Sequence, residues 1–159
     1  MSTLSTRSGE QLTDRAKTLR NRARLEANRN LLFWYRELYH DQFRNLSHPE
    51  ELSILEIGSG TSPLKRFHSN VVTSDVLELD YLDLVFDCHE IDKLAAIEDN
   101  SLDVITLTNV LRHLKNPIDF LNSAAAKLKP GGKVIAIEPY FSVLSSLIFQ
   151  VAASRASGF

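Results

Sequence analysis

Ser53-Ile-Leu-Glu-Ile57, followed directly by Gly58-Ser-Gly60, is the most informative segment of the chain for predicting its fold. A short apolar run that ends on glycines is typical of a buried strand that turns toward a helix. Strands separated by helical or turn segments predict an α/β fold, in which right-handed crossovers build one doubly wound, Rossmann-like parallel sheet. Four more short apolar runs continue this pattern along the chain: residues 70–74, 83–86, 103–108 and 133–137.

The segment before this unit predicts one long helix over residues 13–46. No proline interrupts it, and Ser47-His-Pro49 ends it. We therefore divide the chain into an N-terminal helical extension, residues 1–50, which packs on a main domain, residues 51–159. Apolar residues recur in the extension at helical spacing: Leu12, Ala16, Leu19 and Ala23.

Aromatic and basic residues mark the predicted helix as well. Core packing is the favoured interpretation of the aromatic cluster Phe33-Trp34-Tyr35, because such side chains bury large apolar areas, and a substrate entrance is the alternative. The basic residues are interpreted as a solvated helix face: Arg7, Arg15, Lys17, Arg20, Arg22 and Arg24.

The composition predicts a cytoplasmic globular protein. Its 159 residues are 43% hydrophobic and 24% charged, close to the averages of folded domains. The single cysteine, Cys88, excludes a disulfide framework, and Glu138-Pro139 interrupts the most apolar stretch, so that we expect no transmembrane span. Residues 51–159 carry nine basic and fourteen acidic side chains, which argues against nucleic acid as the main partner.

Polar residues and glycines follow the predicted strands at the points where the strands end. Ligands of doubly wound sheets bind beyond the carboxyl ends of the strands. Asp75, 19 residues after Glu56, is suited to accept hydrogen bonds from both hydroxyls of a ribose. A bound nucleoside therefore explains the candidate site residues at these ends: Glu56, Gly58, Gly60, Asp75, Asp87 and Asn109.

The loop after the first strand indicates which nucleoside is bound. Gly58-Ser-Gly60-Thr-Ser-Pro63 lacks the third glycine of a dinucleotide-binding loop, and no basic residue follows before Lys65. A cofactor without phosphates fits this loop better, and S-adenosylmethionine is the common one. A nicotinamide-dependent oxidoreductase is the weaker alternative.

From residue 52 to about residue 149 the sequence resembles the class I S-adenosylmethionine-dependent methyltransferases, especially the methyltransferase type 11 group. The resemblance implies the strand order 3-2-1-4-5, with S-adenosylmethionine as the cofactor. Five motifs carry it, in the family's order: Leu55-Glu-Ile-Gly-Ser-Gly60, Thr73-Ser-Asp75-Val76, Phe86-Asp87-Cys-His-Glu-Ile91, Asp103-Val-Ile-Thr-Leu-Thr-Asn109 and Leu128-Lys-Pro-Gly-Gly-Lys133.

The resemblance also implies roles for the loops that face the methionine portion of the cofactor. Gly58 and Gly60 allow the cofactor's amino-acid end to approach the backbone. Glu56 orients this loop, or orients the ammonium group through water. Asn109 lies beside the methionine portion. For His113, packing at the start of the next helix is favoured over a role as general base.

The adenosine portion is bound, by the same resemblance, through the loops after strands two and three. Asp75 holds the ribose, and Val76 packs on the adenine. Asp87 and the backbone of Cys88 bind the edge of the adenine. We expect no metal, because His40, His48, His68 and His89 lack the spacing of metal ligands.

From the same resemblance, we expect this sequence to lack the last two strands of the family's sheet. Only 21 residues follow Glu138, enough for a helix over about 142–153 but not for the antiparallel hairpin that ends the family's sheet. We therefore expect either a truncated domain or a partner chain on the edge of strand five, since bare edges promote aggregation.

Methyl transfer by direct displacement to an unidentified acceptor is the predicted function. Glu138 and Tyr140 are expected to face the acceptor, with a hydrogen bond from Glu138 to a loop amide as the alternative. Small-molecule, lipid, sugar and protein acceptors all remain open. A catalytically inactive, methyltransferase-like binding module is the main alternative, and nucleic-acid binding by the basic helix is the least favoured.

Overall fold

The computed structural model describes residues 3–139, with side chains from residue 12 onward. The predicted helix over 142–153 and Tyr140 lie outside these residues. Three short 3₁₀ turns connect the other elements, at Pro49–Glu51, Cys88–Lys93 and Leu111–His113. The helices and strands are, in chain order, α1 (Thr3–Ala27), α2 (Arg29–Phe43), β1 (Ile54–Ile57), α3 (Leu64–Phe67), β2 (Val71–Asp75), β3 (Leu84–Val85), β4 (Leu102–Thr108), α4 (Pro117–Lys127) and β5 (Leu128–Ile137).

The five strands form one sheet in the order β3-β2-β1-β4-β5, and every neighbouring pair is parallel. This order confirms the predicted doubly wound fold. β1 lies in the middle, with Ile54 opposite both Val71 of β2 and Val104 of β4, and all four of its residues are buried. From β1 the chain passes outward to β2 and β3 and then returns to β4 on the other side of β1. This change of direction places the ligand-binding end of the fold at the loop that begins with Gly58.

Side chains alternate between the two faces of the sheet and supply two separate cores. On one face, Leu55 and Ile105 pack with Phe120 of α4. On the other face, Ile54 and Val104 pack with Tyr39 and Phe43 of α2. The N-terminal extension therefore contributes to the core through α2, not merely to the surface of the domain.

The single helix predicted over residues 13–46 is wrong, because the chain breaks into two helices at Asn28. The backbone of Asn28 is extended (φ −103°, ψ 99°), and its side chain accepts a hydrogen bond of 3.1 Å from the N–H of Leu31. Asparagine satisfies an N-terminal amide in this way more readily than it continues a helix.

The apolar stripe predicted to pack α1 on the domain is also wrong. Leu12, Ala16, Leu19 and Ala23 are all exposed, with Leu12 at 68%. The side of α1 that meets the domain carries Arg15, Thr18, Arg22 and Leu25 instead. Helical spacing shows which residues share a face, but it does not say which face has a partner.

The aromatic cluster of α2 likewise divides between two environments. Phe33 and Trp34 are more than half exposed, contrary to the favoured core assignment. Only Tyr35 is half-buried, and its ring lies 5.8 Å from that of Tyr39.

β5 contains a bulge where the sequence predicts only a turn after α4. Leu128 pairs with Leu102, but Lys133 pairs with Val104, so that the four residues 129–132 of β5 stand opposite the single residue Asp103 of β4. Pro130-Gly131-Gly132 accommodates this bulge, with Gly131 at φ +84°. Among the described residues, no helix combines the length and the apolar character needed to cross a membrane.

Candidate active site

A cavity of about 460 Å³ opens at the carboxyl ends of the strands. Five of the eight residues predicted to bind the cofactor line it: Gly58, Asp75, Val76, Asp87 and Cys88. The remaining lining residues come from β1, from the ends of β2 and β3, and from the loop after β4: Ile57, Ser74, Phe86, His89, Val110, His113, Leu114 and Lys115. The predicted site residues thus meet mainly at one end of the sheet.

Gly58 forms the floor of this cavity in a conformation that other residues avoid. Its φ is +77°, and a Cβ placed on it would lie 2.4 Å from Cγ2 of Val110. A side chain at this position would therefore clash with the loop after β4. The glycine keeps the backbone open to a ligand at the end of β1.

The Asp75 carboxylate joins the end of β2 to the loop of residues 58–63, which follows β1 and which we call the glycine loop. Its Oδ2 accepts a hydrogen bond of 2.9 Å from the N–H of Gly60, and its Oδ1 accepts one of 3.0 Å from the N–H of Leu77. A carboxylate has about four acceptor positions, so that two remain for another donor pair. Asp75 can therefore hold the loop and still accept a diol.

The Asp87-Cys88-His89 segment forms the wall of the cavity after β3. Oδ1 of Asp87 accepts the N–H of His89 at 3.0 Å and lies 2.8 Å from the His89 Nδ1. These contacts, led by the backbone hydrogen bond, lower the pKa of Asp87, so that it is ionised near neutral pH. Oδ2 takes no part in either contact. Burial raises the pKa of the Cys88 thiol to about 11, which leaves it protonated and unreactive.

The same three side chains bring potential metal-ligating atoms within 4.8 Å of one another. Histidine spacing in the sequence does not reveal this group, because two of its members are not histidines. The Nδ1 of His89 is already in contact with Asp87, and the group faces the cavity. The predicted absence of a metal is not tested by this arrangement.

Glu56 lies behind the glycine loop and outside the cavity lining. It is 1% exposed, and its Oε1 accepts a hydrogen bond of 2.5 Å from the Ser62 hydroxyl, which also meets the Tyr39 hydroxyl at 2.9 Å. Burial raises the pKa of Glu56 to about 7. Oε2 has no partner among the described residues. The backbone carbonyl of Glu56 accepts from the hydroxyls of Ser59 and Ser74, which fixes the start of the loop.

Asn109 adopts a left-handed conformation directly after β4 (φ +61°). Its side chain accepts a hydrogen bond of 3.4 Å from Arg112, and the cavity lining resumes at its neighbour Val110. Glu138 binds the N–H of Leu111 at 2.6 Å and Arg112 at 3.1 Å, as in the loop-amide alternative. Together these contacts shape the loop that carries His113 into the cavity wall.

Two residues that the sequence does not assign to the site, Tyr81 and Arg22, hold the glycine loop from outside. The Tyr81 hydroxyl donates to the carbonyl of Gly60, and the Arg22 guanidinium lies 3.9 Å from the centre of the Tyr81 ring. Arg22 also donates to the carbonyl of Ser62 at 3.2 Å. Because Arg22 and Ser62 are forty residues apart, no local sequence pattern reports this contact. The sequence predicts a solvated helix face for the basic residues of α1, whereas the Arg22 side chain is only 25% exposed and contacts the loop.

Residues 14–150 match the model of a family described as a methyltransferase domain, and the chain belongs to that family. The match confirms the predicted class and S-adenosylmethionine as its cofactor. It favours methyl transfer over the nicotinamide-dependent alternative.

Individual relatives match shorter parts of the chain. Over 73 residues it is 34% identical to the ubiquinone biosynthesis O-methyltransferase of Idiomarina loihiensis, covering 46% of this chain and 30% of that protein. Over 106 residues it is 32% identical to the protein of the same name from Roseobacter denitrificans, covering 56% and 43%. The chain therefore spans less than half the length of these relatives.

A solved structure described as a SAM-dependent methyltransferase from Aquifex aeolicus superposes with a TM-score of 0.49. The two sequences are 17% identical, and the match covers 78% of this chain and 72% of that one.

Proposed function

We propose that this chain transfers a methyl group from S-adenosylmethionine to a hydroxyl oxygen of its acceptor. The cavity that gathers Gly58, Asp75, Val76, Asp87 and Cys88 at the strand ends is the observation that carries this proposal. The oxygen acceptor is proposed because both curated relatives are named as O-methyltransferases. The acceptor molecule, whether small molecule, lipid or sugar, is left open.

The donor set of the cavity fits the adenosine part of the cofactor. The two remaining acceptor positions of Asp75 suit the two ribose hydroxyls. The exposed side chain of Val76 offers an apolar contact for the adenine ring. Oδ2 of Asp87 and the backbone N–H of Cys88 suit the amino group and a ring nitrogen on the adenine edge.

The glycine loop fits the methionine part of the cofactor. A Cβ at Gly58 would clash with Val110, so that this position has to be a glycine. At this point of the cavity the methionine part of the cofactor would therefore contact backbone atoms only. Glu56 acts through the loop, because its carboxylate binds Ser62 behind the cavity. We assign Asn109 to the conformation of the neighbouring loop, which borders the methyl group.

Methyl transfer from this cofactor needs positioning more than covalent help. The bound sulfonium supplies an activated methyl group, and the protein must hold the acceptor oxygen in line with it. Orientation of this kind contributes up to about 7–11 kcal/mol. An oxygen nucleophile also loses a proton, and His113 lines the cavity where a proton acceptor is needed.

Calorimetric titration with S-adenosylhomocysteine tests the cofactor site. We expect Asp75→Ala to weaken binding by about 1.5–3 kcal/mol, the range for hydrogen bonds to a charged partner. Glu78→Gln is the matched control, since Glu78 is an exposed acid in the same loop and does not line the cavity. Equal affinity of the wild type and the Asp75 variant would remove Asp75 from the site.

Detection of a methylated product distinguishes the proposed enzyme from the main alternative, a catalytically inactive binding module. Transfer of a labelled methyl group to hydroxylated aromatic, lipid and sugar acceptors would establish activity. Cofactor binding without transfer to any of them would favour the binding module.

We also propose a cytoplasmic location, because the chain has a single cysteine. We further propose that a partner chain lies along the outer edge of β5, where every residue is at least partly exposed.

A further inference from the structure

A second concave surface lies along the outer side of α2 and shares no lining residue with the candidate active site. It consists of two adjoining depressions of about 420 and 260 Å³, which have Arg36 and Phe67 in common. No acidic residue is among the described residues that line them. We call this surface the α2 groove. Its arginines and phenylalanines are Arg29, Phe33, Arg36, Phe43, Arg44, Arg66 and Phe67, and His40 and His68 line it as well.

The α2 groove follows from the periodicity of α2. Arg29, Phe33, Arg36, His40 and Arg44 follow one another at intervals of three or four residues, so that they share one face of the helix. Of the residues of α2 buried against the sheet, Tyr39 and Gln42 lie on another face of the helix, whereas Phe43 also lines the groove. The helix thus separates an apolar inner face from a basic outer face.

Most of the positive charge in the groove is not neutralised. Arg36 pairs with Glu37 at 3.0 Å and lies 4.9 Å from the centre of the Phe33 ring. Within residues 12–139, Arg29, Arg44 and Arg66 form no ion pair. An uncompensated cluster of this kind attracts anionic groups.

Large apolar side chains are exposed beside this charge. Phe33, which lines the groove, is 58% exposed, and its neighbour Trp34, which borders the groove without lining it, is 56% exposed. Arginines next to exposed tryptophan and phenylalanine are typical of helices that lie in the interface of a membrane. The rings enter the boundary of the acyl chains there, while the guanidinium groups contact lipid phosphates.

We propose that the α2 groove docks on an anionic lipid surface, with its arginines on the headgroup phosphates and Phe33 and Trp34 at the acyl boundary. A second copy of this chain fits less well, because a twofold contact would bring the same arginines together. Nucleic acid also fits less well, since residues 51–159 carry an excess of acidic side chains. The proposal uses no residue of the active-site cavity and is independent of the proposed function.

Trp34 reports directly on this surface because it is the chain's single tryptophan. Its fluorescence is measured while vesicles of phosphatidylglycerol or of phosphatidylcholine are added. We expect a blue shift with phosphatidylglycerol alone, quenching by brominated acyl chains, and weaker binding at higher salt. Lipid-free protein is expected to show the red emission of an exposed indole.

Paired variants test the arginines. The double substitution Arg29→Gln and Arg44→Gln is expected to weaken vesicle binding about 30-fold, since each basic residue near an anionic surface contributes roughly fivefold. Lys93→Gln is the matched control, because Lys93 is an exposed cation outside the groove that pairs with Glu90. Circular dichroism and the unfolding midpoint check that the double variant is folded, as expected for exposed positions.

Five results would overturn the proposal. Blue emission before lipid is added would mean that Trp34 is already covered. Equal binding to both lipids, or to the control and the double variant, would remove the role of charge. Displacement of the protein from vesicles by millimolar glycerophosphate would point to a soluble phosphate ligand. Displacement by a single-stranded oligonucleotide at equal phosphate concentration would point to nucleic acid.

Discussion

The two N-terminal helices contact the same domain in opposite ways. α2 buries Tyr39, Gln42 and Phe43 against the sheet, whereas α1, among its described side chains, buries only Leu25. Both helices carry apolar residues at helical spacing. The difference teaches that a periodic apolar stripe is necessary for packing but not sufficient, because a second surface has to meet it.

α1 is held instead by polar contacts around the glycine loop. Arg15 binds Asp80 at 2.9 Å, Arg22 stacks on Tyr81, and the Thr18 methyl group would lie 3.0 Å from a Cβ placed on Gly60. Exposed pairs of this kind contribute little to stability. α1 is therefore expected to open at a lower free energy than α2, although Thr18 and Arg22 of α1 border the glycine loop.

The largest expected effect concerns the inner face of α2. Phe43→Ala removes a ring that is 3% exposed and packs with Ile54 and Val104, which is expected to lower the free energy of unfolding by about 3–5 kcal/mol. Urea unfolding measures it. Phe33→Ala, on the exposed side of the same helix, is the control and should change stability by no more than about 0.5 kcal/mol. Similar losses from both substitutions would contradict the inside–outside difference.

A smaller effect on the free energy of unfolding is expected from Glu56. Its carboxylate accepts a hydrogen bond from Ser62 of the glycine loop, and Ser62 in turn contacts Tyr39 of α2. Burial raises the pKa of Glu56 from 4.5 to about 7; nearby Arg22 opposes the rise and Asp75 adds to it. Between these two values the folded chain keeps a proton that the unfolded chain has released. The free energy of unfolding should therefore fall as the pH rises from 4.5 to 7, by on the order of 3 kcal/mol in total.

Urea unfolding of the wild type, Glu56→Gln and Glu78→Gln across this pH range measures that contribution. Glu56→Gln should lose the decrease that Glu56 causes, because its side chain stays neutral at every pH. The exposed control Glu78→Gln should keep it. Parallel pH profiles for the wild type and Glu56→Gln would show that Glu56 is not buried as a proton-holding group.

The smallest expected effect concerns α1. Arg22→Ala removes the contact with Tyr81 and the hydrogen bond to Ser62, and should lower the free energy of unfolding by only about 1 kcal/mol. Hydrogen exchange of the α1 amides should nevertheless become several-fold faster. Arg24→Ala, at an exposed position of the same helix, is the control. Unchanged exchange in the Arg22 variant would mean that other contacts hold α1.

Some parts of the fold and the candidate site follow from local patterns, and others do not. The runs around Ile54, Val72 and Ile105 predict strands at nearly the observed bounds, because a buried parallel strand is apolar on both faces. Gly58 and Asp75 are found for a similar reason, since each directly follows or ends a strand. The sequence does not reveal Tyr81, because its role depends on the contact with Arg22, which forms only in the folded chain.

The break at Asn28 shows that the prediction of one continuous helix gave more weight to the absence of proline than to the N-cap preference of asparagine. Asparagine is a common N-cap, and the absence of proline does not guarantee a continuous helix. The bulge in β5 is similar, because Pro130-Gly131-Gly132 marks a change of direction without saying whether the chain leaves the sheet. The division between an extension and a domain at residues 50 and 51 stays a prediction.

Sequence patterns were enough to predict the doubly wound sheet, its strand order through the family motifs, and the end of the sheet where most of the candidate site residues meet. These features depend on runs of a few residues and on glycines whose effect is local. Only the tertiary structure decided that α2 enters the core, that α1 exposes its apolar stripe, and that Arg22 closes on the glycine loop. Such choices depend on the free energy of contacts between distant segments, which no local periodicity contains.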